Sequence, residues 1–168
     1  MSTKQRRYVL KSKEIKQILL GASEQFKMDL DALFGNKATI EIVESDNSQI
    51  YTVNTRPIMF KIAETFLPLL CFTEFIEAAP KVTVDMGAIP FVCKGANVMA
   101  PGIRRVEGEF SKGDLLVVKD EKHGKPLALG ESMFDVATFR ETKAGPVIKT
   151  LHYVSDKYWN MAKLFTTG

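Results

Sequence analysis

Residues 81 to 105, KVTVDMGAIPFVCKGANVMAPGIRR, constrain the chain more than any other stretch, because they compress a strand, a capped helix and two glycine turns into one short unit. Val82 and Val84 alternate with polar neighbours as a half-buried strand does. Asp85 then stands where a helix N-cap belongs, its carboxylate free to accept a backbone N–H. The spacing predicts a helix over roughly residues 86 to 93 with Ile89, Val92 and Cys93 on its buried side. Pro90 is tolerated because it falls in the first turn, and Gly95 is the left-handed residue that stops the helix. Extended chain resumes until Ala100-Pro101-Gly102, where Gly102 is expected at positive φ in a type II turn. Two arginines, Arg104 and Arg105, follow directly.

The rest of the chain reads as support for this unit. Basic residues crowd the start, and Tyr8 to Leu10 are expected as a short strand. Ser12 is the expected N-cap of a helix reaching about Lys27, with Ile15, Ile18, Leu19, Ala22 and Phe26 on one face. A second short helix runs from Leu30 to Phe34 and stops at Gly35-Asn36. Strands at Thr39 to Val43 and Gln49 to Val53 are expected to form a hairpin with a wide turn, and Ile58 to Ile62 a third strand. Phe66 to Phe75 is apolar enough to be buried, but its periodicity does not choose between helix and strand. These elements imply an α+β first domain, helices on one face of an antiparallel sheet, over residues 1 to 79, with a boundary at Ala78-Ala79-Pro80. In residues 80 to 168 the strands Leu115 to Val118, Leu127 to Gly130 and Val147 to Val154, with a charged hairpin at Lys119 to Lys125, imply a small, nearly closed sheet. The final segment, with Trp159, is expected to pack on that sheet.

Composition narrows the function classes. The net charge of +3 lies in residues 81 to 168, while Lys4, Arg6, Arg7, Lys11, Lys13 and Lys16 form a second basic patch against Glu14 alone. Two such patches could flank one phosphate backbone, although solvated surface charge is the commoner explanation of either. Cys71 and Cys93 lack CxxC spacing and read as buried reduced thiols, which points to a cytoplasmic setting. The apolar run from Ile58 to Phe75 is broken by Lys61, Glu64 and Pro68, so a soluble protein without membrane partner is expected. His123 sits in a polar hairpin tip and His152 in a strand, and no HExxH, GxSxG, Walker or GxGxxG pattern occurs. No enzyme activity, cofactor or metal is expected.

The pattern V-D-x-G-A followed by G-A-N-V-M-A-P-G resembles the signature of the PUA domain, an RNA-binding module. Lys112-Gly113-Asp114, Ala128-Leu129-Gly130 and Leu151-His152-Tyr153 with Asp156 and Trp159 match it in order, over about half the chain. The arrangement is similar to the malignant-T-cell-amplified-sequence family of translation proteins and its archaeal relatives, which place a small α+β domain before a PUA pseudobarrel. That resemblance implies binding of structured RNA, tRNA or rRNA, with the small ribosomal subunit and a translation factor as further partners, in initiation, re-initiation or recycling. The residues expected to meet RNA are Lys94, Gly95, Ala96, Asn97, Met99, Pro101, Gly102, Arg104 and Arg105: cations for phosphates, glycines for close backbone approach, and Met99 as an apolar face. Two rival readings are an accessory module presenting substrate to a separate RNA-modifying enzyme, and a protein-interaction adaptor built on an exposed Phe66 to Phe75.

Overall fold

The structure, a computed structural model, describes residues 5–166; Lys4 of the basic start lies outside them. The chain forms two compact units, residues 1–75 with 157–168, and residues 76–156.

The first unit is built on a five-stranded antiparallel sheet in sequence order: β1 (Arg6–Val9), β2 (Ile40–Ser45), β3 (Ser48–Val53), β4 (Arg56–Ile62) and β5 (Thr65–Pro68). Strands β2 to β5 follow one another through short turns, with little loop-closure cost, whereas β1 joins β2 across a connection that carries both of the unit's first helices. The β2–β3 turn is tighter than expected: Ser45 pairs with Ser48, leaving Asp46-Asn47 as a two-residue loop. At the next turn Asn54 and Thr55 both take positive φ, the geometry that lets two strands reverse without splaying. Helix α1 (Ser12–Phe26) starts one residue earlier than expected at its cap: Lys11, not Ser12, is the N-cap, and its N–H donates to the Glu14 carboxylate at 3.4 Å. Helix α2 (Leu30–Phe34) is capped by Asp29, which accepts from the Ala32 N–H at 3.1 Å.

The ambiguous segment 66–75 splits. Phe66, Leu67 and Pro68 lie in β5, and Phe72 and Phe75 flank the start of α3 (Thr73–Ala78) and pack with Phe26 at ring separations of 5.7 to 6.4 Å. It is buried and not an exposed patch. The terminal helix α6 (Lys157–Thr166) corrects a second expectation. Expected on the barrel sheet, it lies on β3 and β4 of the first unit, where Tyr158 stacks on Phe60 at 4.0 Å and Met161 is buried. Both sides of β3 and β4 are consequently buried, so the sheet is not covered on one face alone.

The second unit is a six-stranded mixed sheet in the order β7-β11-β10-β9-β6-β8, made of β6 (Lys81–Val84), β7 (Val98–Met99), β8 (Ile103–Glu107), β9 (Leu115–Asp120), β10 (Pro126–Ser132) and β11 (Pro146–Tyr153). All pairs are antiparallel except β6 with β9. The two edge strands β7 and β8 are neighbours in sequence, joined only by the tight helical turn Ala100–Gly102. A sheet whose opposite edges are tied by three residues has to curl until they meet, which makes it a pseudobarrel. Its interior holds Val82, Val84, Val98, Leu116, Val118, Ala128 and Ile148, all essentially inaccessible, closed at one end by Phe110 against Phe139 of α5 (Val136–Glu141).

Gly130 shows how tightly β10 and β11 pack. A Cβ there would collide with Ile148 Cγ2, at the bulge between Leu129 and Gly130. His152 is fully buried, its Nδ1 2.7 Å from Asp156 Oδ2, and the same carboxylate accepts from the Tyr153 N–H. It is a structural histidine at the sheet end.

Candidate nucleic-acid interface

The site assembles where the barrel closes. Strand β6 ends at Asp85, whose carboxylate accepts from the Ala88 N–H at 2.9 Å and so caps the turn Met86–Ala88 that opens into α4 (Ile89–Val92). Pro90, in the first turn, lacks only an N–H that the helix does not need. The helix ends in a full Schellman stop: the Ala96 N–H donates to Phe91 O at 3.1 Å and the Gly95 N–H to Val92 O at 3.0 Å, with Gly95 at φ 91°. Those two amides are therefore spent inside the fold. The side of Gly95 where a Cβ would be is also filled, by Tyr153 Cε1 at 3.0 Å. Asn97 and Ala96 are tied to β11 through Thr150, whose N–H donates to Asn97 Oδ1 and whose hydroxyl donates to Ala96 O.

Gly102 departs from expectation. Its φ is not positive, because the chain turns through a tight helical turn instead of a type II turn. What its missing side chain allows is a close approach: a Cβ would lie 3.4 Å from that of Ala88, and the Gly102 carbonyl accepts from the Asp85 N–H at 2.9 Å. Between these two loops runs an open groove of about 350 Å³, lined by Gly87, Ala88, Phe91, Met99, Pro101 and Gly102 among others. Phe91 is 65% exposed and Met99 49%, and Met86 nearby is 39% exposed. Phe91 is the residue that sequence reasoning passed over. The signal was there: it falls outside the buried stripe of Ile89, Val92 and Cys93, and a phenylalanine on the outer face of a helix has no packing reason to be there.

Lys94, Arg104 and Arg105 do not line the groove themselves; Arg104 is tied to one residue of its lining, Asp85. Between Thr83 and Val84 the register with β8 shifts, so that Arg104 is an extra, bulged residue. Its guanidinium reaches Asp85 at 3.3 Å and Glu121 at 3.7 Å. Arg105 instead meets Glu107 at 3.1 Å along its own strand, and Lys119 reaches the same carboxylate at 3.6 Å. Glu107 is held below the usual carboxylate range, first by the Arg105 hydrogen bond, so it stays ionised. Lys94 is exposed. Exposed ion pairs of this kind are worth about 0–1 kcal/mol, so a phosphate can take over either arginine at small cost.

Elsewhere the chemistry is quiet. Both cysteines are half-buried, less than expected, and burial pushes their thiols up, away from the reactive thiolate. Among the described residues no cluster of His, Cys, Asp and Glu could hold a metal ion, and no helix is long and apolar enough to cross a membrane.

A mixed pseudobarrel with a capped helix and glycine turn at its closure defines a PUA-domain protein. Residues 80–154 match the PUA domain, and residues 6–74 match a domain of unknown function, DUF1947. The chain is 36% identical to an uncharacterised protein of Methanocaldococcus jannaschii over 92% of its own length and 96% of that protein. It is 32% identical to translation machinery-associated protein 20 of Saccharomyces cerevisiae, over 79% of this chain and 78% of the yeast one. The fold is that of a PUA-domain protein from Aeropyrum pernix solved as a tartrate complex: TM-score 0.83, 26% identity, 96% of this chain and 92% of that one covered. The chain belongs to the family of translation machinery-associated protein 20 and the malignant T-cell-amplified sequence proteins.

Proposed function

We propose that the protein is a non-enzymatic RNA-binding component of translation in the cytoplasm, which grips tRNA or the RNA of the small ribosomal subunit at the closure of its PUA barrel. Membership of a family named for the translation machinery supports the setting. The observation that carries the site is the groove itself: an aromatic ring 65% exposed, a half-exposed methionine and a glycine floor, with Arg104 held to Asp85 of its lining and Lys94 and Arg105 close by in the chain. An unpaired base can lie against Phe91 and Met99 while neighbouring phosphates draw the guanidinium groups from their carboxylates. Pro101 and Gly102 set the groove's floor; Gly95, Ala96 and Asn97 hold its walls from within. The main chain at the helix stop donates nothing to the ligand in this account, because its amides are already bonded.

Filter retention of a tRNA transcript tests the reading. For Arg104→Ala/Arg105→Ala the expected result is an affinity loss of about tenfold or more and a salt slope shallower by about 1.4 to 1.8, two phosphate contacts at roughly 0.7 to 0.9 each. Unchanged affinity and slope in a folded double variant would remove the claim.

A further inference from the structure

We propose that the first unit carries a second RNA-contacting face, a cleft for an unpaired nucleotide segment between the start of α1 and the loop that follows α2. This rests on the RNA-binding reading above and assigns a role to the domain whose function the family description leaves open. The cleft has a volume of about 700 Å³ and is lined by Leu10, Ser12, Ile15, Lys16, Asn36 and Lys37, among others. Ser12, Lys16, Asn36 and Lys37 are exposed polar groups at its walls, while Leu10, Ile15 and the buried Leu19 give it an apolar base.

Its electrostatics differ from those of the barrel groove. Arg104, Arg105 and Lys119 each have a carboxylate partner, whereas among the described residues Lys16 and Lys37 have none. One acid, Asp31, lines the cleft, and its charge does not offset both lysines. An exposed aromatic ring shares the strand side of one lining residue. Leu10 continues the β1 ladder through its N–H to Ile40 O at 3.0 Å, so Tyr8, two residues earlier, projects on the same side of the strand. Tyr8 is 44% exposed and Arg6, two residues earlier still, is on that side too, although Glu44 faces Arg6 across the strand pair and tempers it. Cations along a cleft and an exposed ring two residues from its lining, on the same side of the strand, are the elements by which proteins hold unpaired nucleic acid: phosphates on the lysines, a base on the ring. An acidic protein segment would use the lysines but would gain little from the flat face of Tyr8.

The test uses the full chain and a fluorescein-labelled unstructured oligouridine of twelve residues, read by fluorescence anisotropy across a salt series. Lys16→Glu/Lys37→Glu is expected to lower affinity at least tenfold and to flatten the salt slope by about 1.4, the single-strand value for two phosphates. Tyr8→Ala is expected to cost about tenfold, the order of one stacked base, and Tyr8→Phe to retain binding. All of these positions are exposed, so thermal midpoints near that of the wild type establish that the variants are folded. If Arg104→Ala/Arg105→Ala weakens binding while the Lys16, Lys37 and Tyr8 variants bind like wild type, this inference fails and the barrel site stands. If the lysine variant loses affinity but Tyr8→Ala does not, the cleft is a general anion surface and the inference fails as stated. If the wild type binds neither this probe nor tRNA, both readings fall.

Discussion

Gly95 and Asp85 show how one residue can serve the fold and the site at once, and how to separate the two. Gly95 holds φ 91°, a region that costs an L-residue with a Cβ about 1–2 kcal/mol, and it packs edge-on to Tyr153. Gly95→Ala should therefore lower the denaturation midpoint by an amount worth about 1–2 kcal/mol while the folded variant keeps its RNA affinity. Loss of RNA binding at full stability would instead mean that the glycine touches RNA. Asp85 caps α4 and also restrains Arg104. Asparagine caps a helix as well as aspartate but carries no charge, so Asp85→Asn should keep the cap, cost stability no more than the pair's worth of about 0–1 kcal/mol, and raise RNA affinity by that same amount, up to about fivefold. Isothermal titration reads both constants, and a weaker complex would contradict the view that Arg104 must leave its carboxylate to bind. The cap and helix stop were legible in the sequence because Asp and Gly have few other reasons to occupy those positions. The conformation of Gly102 was not, since Pro-Gly suits both a type II turn and the tight helical turn that the Ala88 approach selects.

At the level of elements, the hairpin joining β9 to β10 is organised by one buried carboxylate. Asp120 accepts from the His123 N–H and from the Lys125 N–H at 3.2 Å, fixing the tip that carries Glu121 toward Arg104. The hydrogen bond from His123 is the main reason its carboxyl lies below the usual aspartate range, opposed by desolvation. A carboxyl depressed on folding contributes stability that is complete above the unfolded value, about 3.9, and is lost as pH falls through the depressed one. Amide exchange at His123 and Lys125, corrected for intrinsic rates, should accelerate below about pH 3.9, and Asp120→Asn should abolish that dependence. Exchange that is flat with pH in the wild type would show that the carboxylate does not hold the tip. The hairpin was readable from its charge and glycine pattern. Segment 66–75 was not, because its apolar residues are buried in both halves: a strand with both faces covered and a short helix packed into the core leave the same run of apolar residues from Phe66 to Phe72, so no period survives to tell them apart.

At the scale of the whole molecule, the chain's last helix returns to its first sheet, and nothing local announces that. Lys157–Thr166 is amphipathic whichever surface it covers, and contacts such as Tyr158 with Phe60 and Met161 with Ser48 place it in the first unit. The barrel's closure is the opposite case. Its strands, turns and signature residues lie within a short span, so local rules carried most of it, and what they missed was Phe91, whose exposure depends on where the helix's other face is buried. The central claim is that RNA meets this protein at the barrel's closure, against Phe91 and Met99. Photocrosslinking of the full chain to a thiouridine-substituted tRNA, followed by mass-spectrometric mapping of the adducts, tests it most directly. The account predicts adducts in the peptides that carry Phe91 and Met99, abolished by Phe91→Ala in a variant with an unchanged thermal midpoint. Efficient crosslinking with no adduct anywhere between residues 81 and 105 would contradict it.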